Sequence, residues 1–280
     1  MIKERPLPAP LSTREFVRSL GVLDLPPRTS PFDPGYDVAT VISHLEQSHH
    51  LISRLKISMT CWLIADEFAT RRKIDAARRL GVPLVTGGGP FEIAEDKGKL
   101  ESFLELVASL HIDRVEAGEG FTKLRRTPRE YVRLAESYGL AVQMELGSKH
   151  GGTFTASVID ELTASGRDWL DAGAKQLVVE ARESAQTVGL FDDAGRLNFA
   201  AAEAFANAFG MDQTIFEAPN KRSQFEFLNH FGSGVNLSNV RLEELLRVEI
   251  YRRGLHADAY SRFLASPAGS DGDGAHFRNR

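Results

Sequence analysis

The sequence has a single cysteine and no long run of apolar residues. Cys61 has no second cysteine to pair with in this chain of 280 residues, so an intrachain disulfide is excluded and a reducing compartment is favoured. No apolar run approaches the roughly 20 residues that a membrane-spanning helix needs. The N-terminal stretch MIKERPLPAPL has Lys3 and Arg5 but no apolar segment after them, which argues against a signal peptide. We therefore predict a cytoplasmic protein without a membrane partner.

An excess of charge of one sign is also missing. The formal net charge is −4, which argues against nucleic acid as the main partner. Hydrophobic residues make up 42% of the chain, enough for a sizeable core in one large domain. A homo-oligomer is compatible with this composition.

Short apolar runs alternate with longer helical patterns along most of the chain. The runs are apolar on both faces and often β-branched, as buried parallel strands are. They are RLKISM (54–59), PLVTGGG (83–89), RVEAG (114–118), AVQMELG (141–147), QLVVEA (176–181), TIFEA (214–218) and GVNLS (234–238), with an earlier strand expected near TSPFDPG (29–35). Several helical patterns between them end in Gly, as helix C-termini do.

Eight such units predict an α/β fold, a single (β/α)8 TIM barrel with parallel strands. A doubly wound open sheet is the alternative, weakened by the lack of a GxGxxG motif after the first strand. We predict an N-terminal extension at 1–22, a TIM-barrel domain at 23–264 and a disordered C-terminal tail at 265–280. The tail stretch SPAGSDGDGAHFRNR (266–280) is rich in glycine and polar residues, which disfavours a packed structure.

Glutamates stand at or near the exits of four successive predicted strands. They are Glu116, Glu145, Glu180 and Glu217. Because the active site of a TIM barrel lies at the C-terminal ends of its strands, these carboxylates are expected to share one site. Any one of them could instead cap a helix or pair with a neighbouring arginine, but four in succession favour the shared site.

Carboxylates around one cavity repel each other and become neutral unless a cation lies among them. Mg²⁺ suits such a site, because it is a hard ion that takes oxygen ligands and keeps positions open for substrate. We predict Mg²⁺ as the cofactor, with Glu145, Glu180 and Glu217 as ligands. The histidines of HLEQSHH (44–50) are interpreted as surface or packing residues.

Cationic side chains follow several of the same strands. Lys56 lies within the second apolar run, Lys149 follows the fifth strand, Arg182 follows the sixth, and Lys221 and Arg222 follow the seventh. We predict that Lys56, Lys221 and Arg222 bind an anionic substrate, with ion pairing or solvent exposure as the alternative for each. Lys56 is the hardest to explain otherwise, since an unpaired buried lysine is costly.

Two polar loops complete the predicted site. TGGGP (86–90) follows the third strand, where Gly87 and Gly88 could bring backbone N–H groups close to an anion, although glycine runs also form plain turns. VNLSN (235–239) is expected to place Asn236 and Asn239 beyond the eighth strand. Asn236 is assigned to substrate binding, with a turn role as the alternative.

The chain resembles the phosphosulfolactate synthase family from about residue 30 to 260. The most specific stretches are AGAKQLVVEARES, GLFDDAGRLN, IFEAPNKRSQFEFLNHFGSGVNLSN and LRVEIYRRGLHAD. The resemblance implies a TIM-barrel lyase that uses Mg²⁺ to add sulfite to phosphoenolpyruvate through an aci-carboxylate intermediate. It makes Lys149 the candidate proton donor, with Glu116 and Arg182 as further catalytic residues and Glu183 as a substrate-binding residue.

The sequence departs from the family pattern at several loops. GSK (147–149) stands where the family has GKK, DPG (33–35) where it has DKG, and SMTC (58–61) where it has WGTS. The carboxylates remain while anion-binding groups are fewer, which suggests retained enolate chemistry with an altered nucleophile or acceptor. The alternatives are proton abstraction by Lys149 beside a carboxylate on the same barrel, and a non-catalytic, stress-related barrel protein.

Overall fold

The computed structural model describes residues 10–263, with side chains to residue 260. Eight parallel strands pair in chain order and close on themselves through β1 and β8. The predicted (β/α)8 TIM barrel is therefore confirmed, and the open sheet is excluded. The strands are β1 (Thr29–Asp33), β2 (Leu55–Ile57), β3 (Leu84–Thr86), β4 (Arg114–Gly118), β5 (Ala141–Leu146), β6 (Leu177–Val179), β7 (Thr214–Glu217) and β8 (Asn236–Arg241).

Helices follow the strands and cover the outside of the barrel. Within residues 10–263 they are α1 (Thr13–Ser19), α2 (Val38–Ser48), α3 (Cys61–Ile64), α4 (Glu67–Arg79), α5 (Gly88–Asp96), α6 (Leu100–Ser109), α7 (Pro128–Ser137), α8 (Ala156–Ala172), α9 (Phe199–Phe209), α10 (Lys221–Phe231), α11 (Leu245–Arg252) and α12 (Ala257–Phe263). Local signals fix their ends: α7 starts with a capping box between Thr127 and Glu130, and α8 ends at the left-handed Gly173.

The interior of the barrel is polar, whereas its outer face is apolar. On β4, Val115 and Ala117 belong to the hydrophobic core that the helices cover. The alternate residues Arg114 and Glu116 both hydrogen-bond to Gln143 of β5, as the two-residue period of a strand requires. Charged groups are thus stacked along the barrel axis.

The barrel closes through a buried polar network that joins β1 to α11. Thr29 donates to Glu249 (2.6 Å between Oγ1 and Oε1) and accepts from Arg252 (3.0 Å from Nη2). Arg252 is 1% exposed and also donates to the carbonyl oxygen of Val235. Pro31 coincides with the irregular register between β1 and β8, since proline cannot donate to a strand ladder.

One of the two predicted segments outside the barrel contains a helix. Residues 1–22 include α1, whose N-terminus is capped by Ser12 and Glu15. The predicted disordered tail at 265–280 lies outside the described residues. None of the helices in the described part of the chain is long and apolar enough to cross a membrane. The domain boundaries at 22 and 264 stay predictions.

Candidate active site

A cavity of about 580 Å³ opens at the C-terminal ends of the strands. Its floor is charged, while Phe32, Ile93 and Phe121 add apolar surface. Its lining includes Lys56, Gly87, Gly88, Gly89, Glu145, Lys149, Glu180, Arg182, Glu183, Glu217 and Asn239. Residues from all eight strands or the loops after them thus meet at one place, as a TIM-barrel active site requires.

Lys56 and three glutamates form the floor of the cavity. The ammonium nitrogen of Lys56 lies 2.8 Å from Glu116 Oε1, 3.5 Å from Glu217 Oε1 and 4.0 Å from Glu145 Oε2. Lys56 is 4% exposed and Glu116 is fully buried. Lys56 lines the cavity, and its charge is shared with the neighbouring carboxylates, so its assignment to substrate binding stays a prediction.

Glu116 is held from three sides. It accepts hydrogen bonds from the backbone N–H of Gly88 (2.9 Å) and from the amide Nε2 of Gln143 (2.8 Å), in addition to Lys56. It does not line the open cavity directly. Glu116 therefore lies beneath the first turn of α5, where it helps to hold Lys56 and Gly88 in position.

Lys149 lies between two further carboxylates. Its ammonium nitrogen donates to Glu145 Oε1 (2.8 Å) and Glu180 Oε2 (2.7 Å). A Cβ atom on Gly120 would lie 2.9 Å from Lys149 Cγ, so a glycine is needed there to leave space for the lysine. The Lys149 side chain is 27% exposed and borders the cavity, so it can reach a bound molecule.

Burial and mutual repulsion shift the pKa values of these carboxyl groups. Burial raises the pKa of Glu116 to about 7, with Lys56 opposing and Glu145 adding to the shift. Burial and the charge of Glu180 raise the pKa of Glu217 well above its usual value. Burial opposes ionisation of Glu145 as well, but Lys149 and Lys56 outweigh it and lower its pKa to about 2. Of the lysines that the structure describes, only Lys56 and Lys149 lie beside the four carboxyl groups. If all four were ionised, the site would therefore have an excess of negative charge.

The donor type of this site matches Mg²⁺, but its side chains are not arranged around an ion. The carboxylates predicted as ligands, Glu145, Glu180 and Glu217, all line the cavity, and oxygen donors are what this ion prefers. Among residues 10–260, no group of three or more His, Cys, Asp or Glu side chains is already arranged around one point. The ammonium group of Lys149 lies between Glu145 and Glu180 instead, so an ion coordinated by both would have to displace it.

The loop after β6 forms one wall of the cavity. Arg182 donates from its backbone N–H to Glu180 Oε1 (2.5 Å) and from Nη1 to the carbonyl oxygen of Lys149 (3.2 Å). Arg182, Ala185 and Thr187 all have positive φ (56°, 48° and 52°), a conformation that is costly for residues with a Cβ. Arg182 and Glu183 lie at the mouth, where the sequence predicted them.

Lys221 and Arg222 do not reach this cavity. They occupy the first turn of α10 and point outward: Lys221 pairs with Asp258 of α12 (3.3 Å), and Arg222 pairs with Glu226 (2.8 Å) one turn along its own helix. The expectation that they bind substrate at this mouth is corrected, because each has a local carboxylate partner away from the cavity.

Asn236, expected beyond β8 at the substrate site, does not line this cavity either. It is the first residue of β8, at the opposite end of the barrel, and donates to the carbonyl oxygens of Met211 and Thr214. The strand begins two residues later and ends three residues later than the predicted GVNLS run (234–238). Asn239, expected beyond the strand, lies within it at a positive φ of 55° and lines the cavity.

Gly87 and Gly88 do line the cavity, but they begin a helix. Gly87 is the N-cap of α5, so the positive end of the helix dipole faces the cavity. The same helix carries Glu92, a fully buried carboxylate that the sequence analysis missed. Its Oε2 accepts from the backbone N–H groups of Phe121 and Thr122 (2.9 Å each), while its Oε1 has no partner. The sequence shows no helical periodicity around Glu92, because α5 is short and begins in the glycine run 87–89.

Comparison with known proteins decides the family. Residues 27–258 match the model of the (2R)-phospho-3-sulfolactate synthase (ComA) family. The chain belongs to this family. It is 30% identical to the phosphosulfolactate synthase of Methanocaldococcus jannaschii over 235 residues, covering 84% of this chain and 94% of the relative. The phosphosulfolactate synthase of Bacillus subtilis is 24% identical over 248 residues, covering 85% of this chain and 97% of the relative.

Membership of the family makes the chain a lyase-type enzyme and confirms the resemblance drawn from the sequence. Solved structures with little sequence identity share the fold. A putative fructose-1,6-biphosphate aldolase of Coccidioides immitis has a TM-score of 0.53 at 14% identity, covering 88% of this chain and 96% of that one. A deoxyribose phosphate aldolase of Aeropyrum pernix also has a TM-score of 0.53, at 17% identity, covering 86% and 99%. At such identities only the barrel is compared.

Proposed function

We propose that the enzyme adds sulfite, or a closely related nucleophile, to phosphoenolpyruvate at this cavity and forms a phosphosulfolactate-type product. The observation that carries the proposal is Lys149 at the cavity between Glu145 and Glu180 (2.8 and 2.7 Å), in a family named for this product. The sulfur lone pair forms a bond to C3 of the enol, the C2–C3 π bond breaks, and negative charge moves to the carboxylate as an aci-carboxylate. A proton delivered to C2 completes the addition.

Glu145, Glu180 and Glu217 are the residues that would hold Mg²⁺. When bound, the ion supplies Lewis-acid stabilisation of the charge that develops on the substrate carboxylate. The support for this assignment is electrostatic: burial and, after it, repulsion among these carboxylates raise the pKa values of Glu180 and Glu217, and a divalent cation would relieve the repulsion.

Lys149 is the proposed proton donor to C2. Burial opposes its charge, but the neighbouring Glu145 and Glu180 outweigh that effect and raise its pKa, so the ammonium form persists at neutral pH. A protonated group suits a donor and disfavours a role as base. Its partial exposure lets solvent restore the proton after each turnover.

The phosphate and the incoming anion require positive groups at the mouth. We assign this role to Arg182 and to the positive end of the α5 dipole at Gly87 and Gly88. The backbone N–H groups of these two glycines already donate to Ile57 and Glu116, so the end of the helix acts on the anion through its field. Lys56 acts from below by holding Glu116 and Glu217 in place. Glu183, also at the mouth, would contact the substrate from the same loop as Arg182.

The proposed reaction is tested by incubating the enzyme with Mg²⁺, phosphoenolpyruvate and sulfite in D₂O, followed by NMR. We expect a sulfolactate product with deuterium at C2, and a loss of about 10² to 10⁴-fold in rate for Lys149→Ala. Lys97→Ala is the matched control, because Lys97 is exposed and pairs only with Asp96 among the described residues. Turnover with a different nucleophile but none with sulfite would refute the synthase assignment, and full activity of Lys149→Ala would refute the role of Lys149.

Metal binding is tested separately by calorimetry with Mg²⁺ and Mn²⁺. Glu180→Gln is expected to weaken binding at least tenfold, because a neutral amide replaces one carboxylate donor. Lys149→Ala is expected to bind Mg²⁺ more tightly than the wild type, since the competing ammonium group is gone. Equal affinity in the wild type and Glu180→Gln would remove Glu180 from the metal site.

A further inference from the structure

The opposite, N-terminal end of the barrel holds a second, smaller cavity. It has a volume of about 170 Å³ and is lined by Pro27, Arg28, Ser30, Ser53, Arg54, Gln176, Ile215 and Asn236. Most of these side chains are polar, and the two hydroxyl groups of Ser30 and Ser53 lie 2.9 Å apart. The cavity is large enough for one small ion and its shape is set by the starts of the strands.

At this end of the barrel, the described arginines outnumber the carboxylates that pair with them. Arg28 pairs with Asp212 (2.6 Å between Nη1 and Oδ1) and Arg54 donates from Nη1 to the carbonyl oxygen of Leu84 (3.2 Å). Among the described residues, no carboxylate oxygen lies within 4.0 Å of the guanidinium nitrogens of Arg54. The charge of Asp113 acts on Arg54, but the Oδ2 atom of Asp113 already accepts a hydrogen bond from the Leu84 N–H.

A third guanidinium group lies behind Gln176. Arg114 is 8% exposed, donates from Nη1 to Gln176 Oε1 (2.8 Å) and Gln143 Oε1 (3.2 Å), and has a buried Nε with no hydrogen-bond partner. It too has no salt bridge to a described carboxylate. Burial, together with repulsion from Arg54, lowers the pKa of Arg114 to about 10. Buried like charges of this kind are costly unless an anion accompanies them.

We propose that this cavity is a binding site for a small tetrahedral oxyanion, inorganic phosphate or sulfate. Guanidinium groups bind such ions through paired N–H donors, and Arg28 and Arg54 both line the cavity. Ser30 and Ser53 supply hydroxyl donors, and the bound charge offsets that of Arg114 behind them. The site lies at the end of the barrel away from the candidate active site.

The two ends are joined by one amide. Gln143 accepts from Arg114 at its Oε1 and donates from Nε2 to Glu116 Oε2 (2.8 Å). Because a guanidinium can only donate and an ionised carboxylate can only accept, the amide has one favourable orientation. An anion that shifts Arg114 therefore also perturbs Gln143, whose side-chain amide resonance reports on occupancy.

Calorimetric titration with phosphate, sulfate and chloride at constant ionic strength tests the proposal. Arg182→Gln serves as the background, since it weakens any anion site at the other mouth. In this background we expect one phosphate or sulfate per chain, at least tenfold weaker binding after Arg54→Gln, an intermediate effect of Arg54→Lys, and no comparable binding of chloride. The Gln143 amide resonance should shift on titration only when Arg54 is present.

Ser53→Ala provides a milder variant should Arg54→Gln fail to fold, with an expected loss of several-fold in affinity. Unchanged affinity in Ser53→Ala and Arg54→Lys, or no saturable binding by Arg182→Gln, would overturn the proposal. Failure of the sulfite reaction would leave these binding measurements unaffected, because the two sites lie at opposite ends of the barrel.

Discussion

Replacing Lys56 by methionine should destabilise the protein in a strongly pH-dependent manner. Methionine keeps most of the volume but removes the ammonium group that lies 2.8 Å from Glu116 and 3.5 Å from Glu217. With an effective dielectric constant of 20, the shorter contact alone corresponds to an attraction of about 6 kcal/mol. Desolvation of the ammonium group cancels part of this, and breaking such a buried pair costs about 3–5 kcal/mol.

The sign of the pH dependence follows from Glu116. Its pKa in the folded protein is about 7, above the usual 4.5, so the neutral carboxyl favours the folded state below pH 4.5, and this contribution is lost as the pH rises through 7. Removing Lys56 raises the folded-state pKa further. The variant should therefore be close to the wild type near pH 5, where the buried carboxyls can take up protons, and least stable relative to it at pH 8 to 9.

Urea and thermal unfolding from pH 5 to 9 provide the measurement. At pH 8 the loss of about 3–5 kcal/mol corresponds to a fall in Tm on the order of 10 °C for a chain of this size. Lys97→Met is the matched control and should change stability by less than about 0.5 kcal/mol, because the Lys97 side chain is 72% exposed. An equal loss for Lys56→Met at pH 5 and pH 8 would refute the electrostatic account of the floor.

Three further predictions concern packing, the wall of the cavity and the proton donor. Gly166→Ala would place a Cβ 2.5 Å from Phe209 Cζ and should lower the free energy of unfolding by about 1–3 kcal/mol; Gly234→Ala, with no atom within 4 Å of the new Cβ, should change it by less than about 0.5 kcal/mol. Glu92→Ala should speed amide hydrogen exchange in the loop after β4 at least tenfold and raise KM more than it lowers kcat, and unchanged exchange would contradict its role as an anchor of that loop. Lys149→Ala should lose activity and also lower the Tm at pH 8, because the buried carboxylates of Glu145 and Glu180 lose the ammonium group that lies 2.8 and 2.7 Å from them; an unchanged Tm at pH 8 would contradict this compensation, and full activity would contradict the role as proton donor.

The sequence predicted the barrel because seven of the eight strands have a local signal, and the first was expected from the number of units. Buried parallel strands are continuous apolar runs, and those runs ended in carboxylates at one end of the barrel. Glu145, Glu180 and Glu217 could therefore be assigned to one site from their positions in the chain. Strand order gives this juxtaposition directly, since adjacent parallel strands end at the same edge.

Side-chain direction beyond a strand end could not be predicted in this way. Lys221 and Arg222 follow β7 as expected, yet the first turn of a helix points its residues in several directions, and local partners at Asp258 and Glu226 determine where they lie. Asn236 was misassigned because the polar start of β8 resembles a loop. Glu92 was missed because α5 begins with glycine and proline, which disfavour a helix in its interior but are tolerated in its first turn.

The closing network of Thr29, Glu249 and Arg252 bears on the order of events during synthesis. Strands β1 to β7 can pair with their neighbours as they leave the ribosome, but β1 remains an unpaired edge until β8 has been made. The hydrogen-bond partner of the Thr29 hydroxyl, the Glu249 carboxylate, is synthesised 220 residues later. A nascent chain that stops short of β8 thus exposes an unprotected strand edge, and the contacts of Thr29 with Glu249 and Arg252 of α11 hold the closing strands together once β8 has been made.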